Sequence, residues 1–335
     1  MESPLLQSPG AVPADTPDQE IAAHYGEPVH EQRALEAGTA FVDRSNRGVV
    51  RVSGPDRLSW LHNLLTQHVE RLEPGRPTQA LVLSPQGHIE HHLHLVDDGE
   101  AVWAHVEPGT ASDLAGFLDK MRFMLRVEVE DLSDGHAVVT VPAGAEVPGV
   151  APDLPDVAGL TARIIPRDAL PALAESGTLR PAGVWAYEAL RIAERRPRFT
   201  LDTDHRSIPH EMGWIEEAVH LDKGCYRGQE TVARVHNLGR PPRRLVFLHL
   251  DGSVDRLPAH GDPVEIPGGR AVGFVGSTAR HHELGPIGLA LVKRNVPVDI
   301  ELLAGGVAAA QEVVVSPDTG ANARIDFPRH AARRG

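Results

Sequence analysis

The chain carries one cysteine in 335 residues. A single thiol excludes an internal disulfide and a self-contained four-cysteine zinc or iron–sulfur site. A cluster touching Cys225 would have to share ligands with another protein. Long apolar runs are also missing. None approaches the roughly 18 residues needed to cross a bilayer, so no membrane association is expected. The opening MESPLLQSPGAVPADTPDQE lacks the basic and apolar regions of a secretory signal. Its Pro, Ser and acidic content predicts a disordered tail over residues 1–19. Basic charge is scarce: 33 Lys and Arg stand against 46 Asp and Glu, a net charge of −13. That balance argues against a broad nucleic-acid surface. Two basic stretches run against it, RVHNLGRPPRR (Arg234 to Arg244) and the tail RHAARRG (329–335). Both read as solvated chain, so direct RNA contact is not expected. The lone thiol fits a reducing cytoplasm.

What is present is a readable alternation. From Val49 to Leu132, VVRVSG, QALVLS, HIEHHLHLV, AVWAHV and RVEVEDL have strand texture. Between them PDRLSWLHNLLTQHVERL sets Leu58, Leu61, Leu65 and Val69 on one helical face, with Ser53 as a candidate N-cap and Pro55 in the first turn. SDLAGFLDKMRFML repeats the stripe with Leu114, Phe117, Leu118, Met121 and Leu125. This is a β-α-β-β-α-β order with one added strand, a split βαβ plan. GVWAYEALRIAERRPRF predicts a helix carrying Val184, Tyr187, Leu190 and Ile192, ending near Pro197. From Arg243 onward short Gly- and Pro-punctuated strands predict a β-barrel or sandwich, with the boundary in NLGRPPRR. The fold class is α+β.

Three stretches hold candidate chemistry. In LDKGCYRGQETVARV, Gly224 and Gly228 allow unusual backbone torsions. Lys223 and Arg227 would favour the Cys225 thiolate if they lie close to it. An inert thiol is the other reading. The loop lacks the phosphate-loop order. In IPHEMGWIEEAV, Glu211 sits among apolar neighbours, where a carboxylate needs a partner. An arginine would serve. So would a ligand with two parallel donors, such as the 2-amino-pyrimidinone edge of a pterin. In HIEHHLHL, strand alternation puts His88, Glu90, His92 and His94 on one face. A polar outer face is the plainer reading than a metal, because i,i+2 ligands rarely close a tetrahedron; no metal site is assigned.

KGCYRGQE, with IPHEMGW before it and VARVHNLG after it, resembles the signature of the YgfZ-type folate-binding proteins. These are relatives of the glycine-cleavage T-protein, an aminomethyltransferase. HYGEPVHEQRALEAGTAFVDRSNRG, VSGPDRLSWLHNLLTQHVERLEPG, GVWAYEALRIAERRPRFTLD and GFVGSTARHHELGPIGLALVKRNVP are similar to successive segments of that family. The resemblance implies three domains in a ring around a folate channel. The first would be discontinuous, 20–48 plus 133–240, with 49–132 inserted, a barrel over 241–328 and a basic tail over 329–335. It implies tetrahydrofolate as ligand and a supporting role in iron–sulfur cluster assembly or repair, including that of cluster-dependent tRNA-modifying enzymes. Iron–sulfur proteins or their assembly machinery would be the partners, and a transient cluster could be shared with one of them. Cys225 and Lys223 would form the functional thiol site. Glu211 would hold the pterin, with Tyr226, Arg227, Gln229 and Arg234 as further folate contacts. Gly224, Gly228 and Glu230 complete the signature.

One departure separates this chain from the transferase. The T-protein has an Asp-Asp pair where His91-His92 stands here. Imidazole can accept a proton, but it does not stabilise a cationic iminium as an anion does. The expectation is therefore an accessory protein rather than an enzyme. A tetrahydrofolate-dependent aminomethyltransferase is the alternative.

Overall fold

The structure is a computed structural model, described here over residues 1–322. The basic tail 329–335 lies outside the described residues, as does the end of the expected barrel segment. Helix α1 (Pro28–Glu36) leads into β1 (Ala40–Asp43). The chain then leaves for a second sheet: β2 (Gly48–Ser53), α2 (Arg57–Leu64), β3 (Thr78–Leu83), β4 (Ile89–Asp97), β5 (Ala101–Val106), α3 (Ala111–Met121) and β6 (Glu128–Asp131). It returns with β7 (His136–Pro142), β8 (Leu160–Pro166), β9 (Arg180–Ala182), α4 (Val184–Ala193) and α5 (Gln229–Asn237). Six strands follow: β10 (Arg243–Leu250), β11 (Pro263–Glu265), β12 (Ala271–His281), β13 (Gly285–Lys293), β14 (Leu302–Ala304) and β15 (Val307–Val313).

The first sheet runs β8–β7–β1–β9, with Leu154–Pro155 on the β8 edge; β1 and β9 are parallel and the rest antiparallel. The second sheet, β3–β4–β5–β2–β6, is antiparallel throughout. The last six strands close a barrel, β15 returning to β10. The expected α+β architecture with a C-terminal barrel is what the chain adopts.

The second sheet is buried on both faces. One face packs Leu93, Leu95, Val102 and Ala104 against Leu61, Leu114 and Leu118 of the helices. The other end of β3 and β4 joins a core with α4, α5 and the barrel, through Leu81, Leu83, Ile89, Ile192, Val232 and Phe247. Each such fully buried side chain contributes about 1.5–3 kcal/mol.

Three local expectations need correcting. Helix α2 stops at Leu64, and Leu65 is extended, so Leu65 and Val69 are buried from a loop rather than from a helical stripe. Thr66 fixes that exit: its hydroxyl donates to the Ala218 carbonyl at 2.6 Å and accepts the Leu81 N–H at 2.8 Å. The N-cap position is Asp56, whose carboxylate turns to Arg126, while Ser53 ends β2. The N-terminal residues are not a loose tail. Leu5 is buried in the first core, Val12–Pro13 pairs with Ala22–His24, and Asp18 binds Arg198 through two bonds of 2.8 and 2.9 Å.

Candidate functional site

A cavity of about 280 Å³ opens where the two sheets and the barrel end meet. Its walls come from distant parts of the chain. The β1–β2 turn brings Arg44 and Arg47. Strands β4 and β5 bring His92, His94 and His105, with Glu107 just beyond. Helix α4 and its exit bring Tyr187, Arg191 and Arg196. The IPHEMGW turn brings Met212 and Trp214, and Val314 comes from the barrel end.

The histidines form a continuous layer. His94 and His105 stack with centroids 4.8 Å apart and planes 6° apart. His92 lies 4.7 Å from His94 and 4.3 Å from the Trp214 ring. Strand alternation sends His92 and His94 to the cavity and leaves Leu93 and Leu95 to the helix side. A bulge breaks the expected face at Glu90: Val82 opposes His91 and Leu83 opposes Ile89, so Glu90 is the extra residue. Glu90 pairs with Arg227 instead of joining the histidines. The expected polar outer face is thus an inner wall.

Burial keeps these imidazoles neutral. It pushes His92 down to about 3 and His94 and His105 well below their usual range; the Arg47 guanidinium adds to the shift at His105. Arg47 Nε donates to His105 Nδ1 at 2.9 Å, which sets the ring proton on Nε2. His92 Nε2 stands 2.8 Å from Gln79 Oε1.

The deeper carboxylates are all engaged. Glu107 accepts from Arg47 at 2.7 Å and from Arg198 at 2.8 Å. Burial would raise it, but Arg198 and Arg47 outweigh burial and hold it at about 2. Asp156 takes Arg44 at 2.6 Å and the Tyr187 hydroxyl at 2.9 Å, and Arg44 lies 4.0 Å over the Tyr187 ring. Arg196 is looser. It is about one-third exposed and reaches Glu194 at 3.9 Å, too long for a hydrogen bond. The chamber therefore offers stacking faces, neutral ring nitrogens and a cation at its rim, with its inner anions already neutralised.

The signature loop lies elsewhere. Cys225 is exposed and lines neither this cavity nor the groove beside α5. Lys223 and Arg227, the cations that flank it in sequence, are each engaged by other groups. Lys223 Nζ donates to the carbonyls of His62, Leu65 (2.5 Å) and Gln67 (3.1 Å). Burial lowers its pKa to about 8. Arg227 is forked onto Glu90 at 2.8 and 3.2 Å, over Phe117. Tyr226 is packed in the core shared with the barrel, and Gln229 Nε2 bonds the Lys223 carbonyl at 3.3 Å. Gly228 needs its freedom: φ is +82°, and a Cβ would stand 2.6 Å from the Ser84 carbonyl oxygen and 3.0 Å from Gly87 Cα. Gly224 meets nothing and needs none. Residues 229–237 are helix rather than loop, with Glu230 in the first turn.

Glu211 is fully buried and lines neither cavity. Arg243 occupies both its oxygens, and Glu211 Oε2 also accepts the Ile208 N–H at 3.2 Å. Arginine is one of the two partners expected for it. Arg234 lies in a separate groove of about 790 Å³ with Arg206, Arg240, Arg243 and Lys293. None of Glu211, Tyr226, Arg227, Gln229 or Arg234 therefore faces the central cavity. The residues that do face it were only partly visible in sequence, through the histidines of HIEHHLHL and the Met-Gly-Trp of IPHEMGW.

Residues 5–148 match the GCVT N-terminal domain. Over that segment the chain is similar to GcvT-type proteins. It is 27% identical to an aminomethyltransferase of Saccharopolyspora erythraea, over 86% of this chain and 88% of that one. It is 24% identical to a chloroplastic protein of Arabidopsis thaliana named as a transferase, over 78% and 67%. It is 27% identical to an iron-sulfur cluster assembly factor IBA57 homolog, mitochondrial, of Mycosarcoma maydis, over 61% and 55%. The glycine cleavage system aminomethyltransferase T of Bartonella henselae shares the fold, with a TM-score of 0.75, 18% identity and 92% and 94% of the two chains covered. Among the described residues, no helix is long and apolar enough to cross a membrane.

Proposed function

We propose that this chain is a YgfZ-type folate-binding accessory protein that supports iron–sulfur cluster assembly or repair in the cytoplasm. Cluster-dependent tRNA-modifying enzymes are among the proteins it would serve. The observation that carries the reading is the state of the cavity: its deep carboxylates are bound to guanidiniums and its histidine layer is neutral. Such a chamber can hold a planar polar ligand, but it has no free inner anion to stabilise an iminium.

The residues present fit a reduced folate. Trp214 and His92 offer a face to stack a pterin, His94 and His105 offer neutral ring nitrogens, and Arg196 can meet a carboxylate of the glutamate tail. Bound tetrahydrofolate would supply nitrogens that accept a one-carbon unit. Arg47 holds His105 in one tautomer, and the Glu107 pair keeps that guanidinium in place. Cys225, exposed on a separate loop, would meet a partner protein and a cluster transiently shared with it. The relative named as an assembly factor favours this assignment.

The test is calorimetric titration of the chain with tetrahydrofolate, beside Cys225→Ala assayed for cluster-dependent enzyme activity in cells. No folate binding removes the ligand half, and undiminished activity of the variant removes the thiol half. A second reading, a tetrahydrofolate-dependent aminomethyltransferase, is favoured by the aminomethyltransferases that match over most of the chain. Formation of 5,10-methylenetetrahydrofolate with a lipoyl carrier protein, lost in Arg47→Ala, would establish it instead.

A further inference from the structure

The loop after α2 meets the segment before Cys225 along a line of imidazoles. The His62 and His68 rings lie 4.6 Å apart at 73°, and His68 and His220 lie 5.3 Å apart. Glu70 joins them: one donor atom from each of His62, His68 and Glu70 falls within 4.8 Å of the other two. His62 is 9% exposed, and its Nδ1 is buried with no hydrogen-bond partner. A buried polar atom left unpaired is destabilising and calls for an explanation.

We propose that His62, His68 and Glu70 bind a divalent first-row transition-metal ion of the zinc or ferrous type. Two imidazoles and a carboxylate suit such borderline cations and leave coordination positions open. Donors held 2.0–2.1 Å from a tetrahedral ion stand about 3.4 Å apart. Glu70 is exposed and His68 half-buried, so their side chains can rotate inward to close the remaining gap. His62 is the fixed point: it sits on α2, and Lys223 holds its carbonyl. The Lys223 ammonium lies nearby but is shared among three carbonyls, and Glu70 adds the anionic donor that offsets it.

A second cluster, Glu36, His281 and His282, has similar spacing but the wrong protonation. His281 Nδ1 accepts the N–H groups of Glu283 and Leu284 at 3.1 and 3.2 Å, so the proton sits on Nε2 and no lone pair is left for an ion.

The site stands apart from the central cavity, and failure of folate binding would not touch it. The test is titration of the metal-free full-length chain with Co²⁺, followed by visible absorption, then competition with Zn²⁺. One Co²⁺ per chain, displaced by Zn²⁺, is expected. Glu70→Gln and His68→Ala should each weaken binding by at least about 10-fold, with unchanged circular dichroism showing that they fold. Cys225→Ser should bind as the parent does. Absence of saturable binding would overturn the proposal, as would full affinity in both His68→Ala and Glu70→Gln. Loss of binding in Cys225→Ser would also overturn it, by moving the donor set to the thiol.

Discussion

Arg243 holds Glu211 through two parallel bonds, Nε to Oε1 and Nη2 to Oε2, each 2.8 Å. The same guanidinium reaches Asp204 at 2.6 and 3.0 Å. One arginine at the start of the barrel thus bridges two carboxylates from the segment before it.

Glu211→Ala should lower the unfolding free energy by about 1–3 kcal/mol, because the Ile208 N–H loses its acceptor and Arg243 keeps only Asp204 as its acidic partner. Folate affinity of the folded variant should be unchanged. Urea denaturation and calorimetry read the two effects separately. A stable variant that had lost folate binding would return Glu211 to the ligand.

Arg196→Ala should raise the folate dissociation constant about 10-fold, equivalent to about 1.4 kcal/mol. Its stability should stay within about 0.5 kcal/mol of the parent, as for other surface changes. The long contact to Glu194 is the reason: little structure is lost with the side chain.

Acid should destabilise the protein from about pH 6.5 downward, before the carboxylates respond. His92 has a folded pKa of about 3 against an ordinary 6.5, so below pH 6.5 the unfolded chain binds the extra proton. The stability is fully present above 6.5 and falls as pH drops toward 3. His94 and His105 act in the same direction. Each such group contributes a slope of about 1.4 kcal/mol per pH unit inside its window. Urea midpoints taken from pH 7 to 4 should show it, and His105→Asn should flatten the profile.

Cys225 should react with a disulfide reagent in the folded protein at one equivalent, because it is exposed. Cys225→Ala should change stability by less than about 0.5 kcal/mol. Slow labelling that appears only on unfolding would contradict the placement of the loop.

Gly228→Ala should destabilise by about 1–3 kcal/mol, because φ is +82° and the new Cβ would strike the backbone at Ser84 and Gly87. The matched control is Gly224→Ala, which meets nothing and should be neutral. Thermal melts of the pair test the difference.

The fold was legible where local periodicity decides it. The Val184, Tyr187 and Leu190 stripe and the alternation in VVRVSG and QALVLS needed no distant information. The end of α2 was not legible, because Thr66 is held by Ala218 and Leu81, both far along the chain. The N-terminal residues looked disordered by composition. Their order comes from long-range anchors, the Asp18–Arg198 pair and buried Leu5. At the site, HIEHHLHL showed which residues alternate but not whether their face meets water or a chamber. Glu211 announced the need for a partner without naming Arg243, 32 positions later. Lys223 and Arg227 flank the cysteine in sequence, yet their charges go to other groups because a long side chain reaches past its neighbours.

Lys223 has a consequence beyond the loop that carries it. Its ammonium donates to carbonyl oxygens from the end of α2 and the residues after it, with the Tyr226 ring 5.2 Å away. Pulling the inserted segment away would remove all three of these acceptors at once. The insert and its host should therefore lose structure in a single calorimetric transition, and an excised insert should not reproduce the melting behaviour it shows in the intact chain.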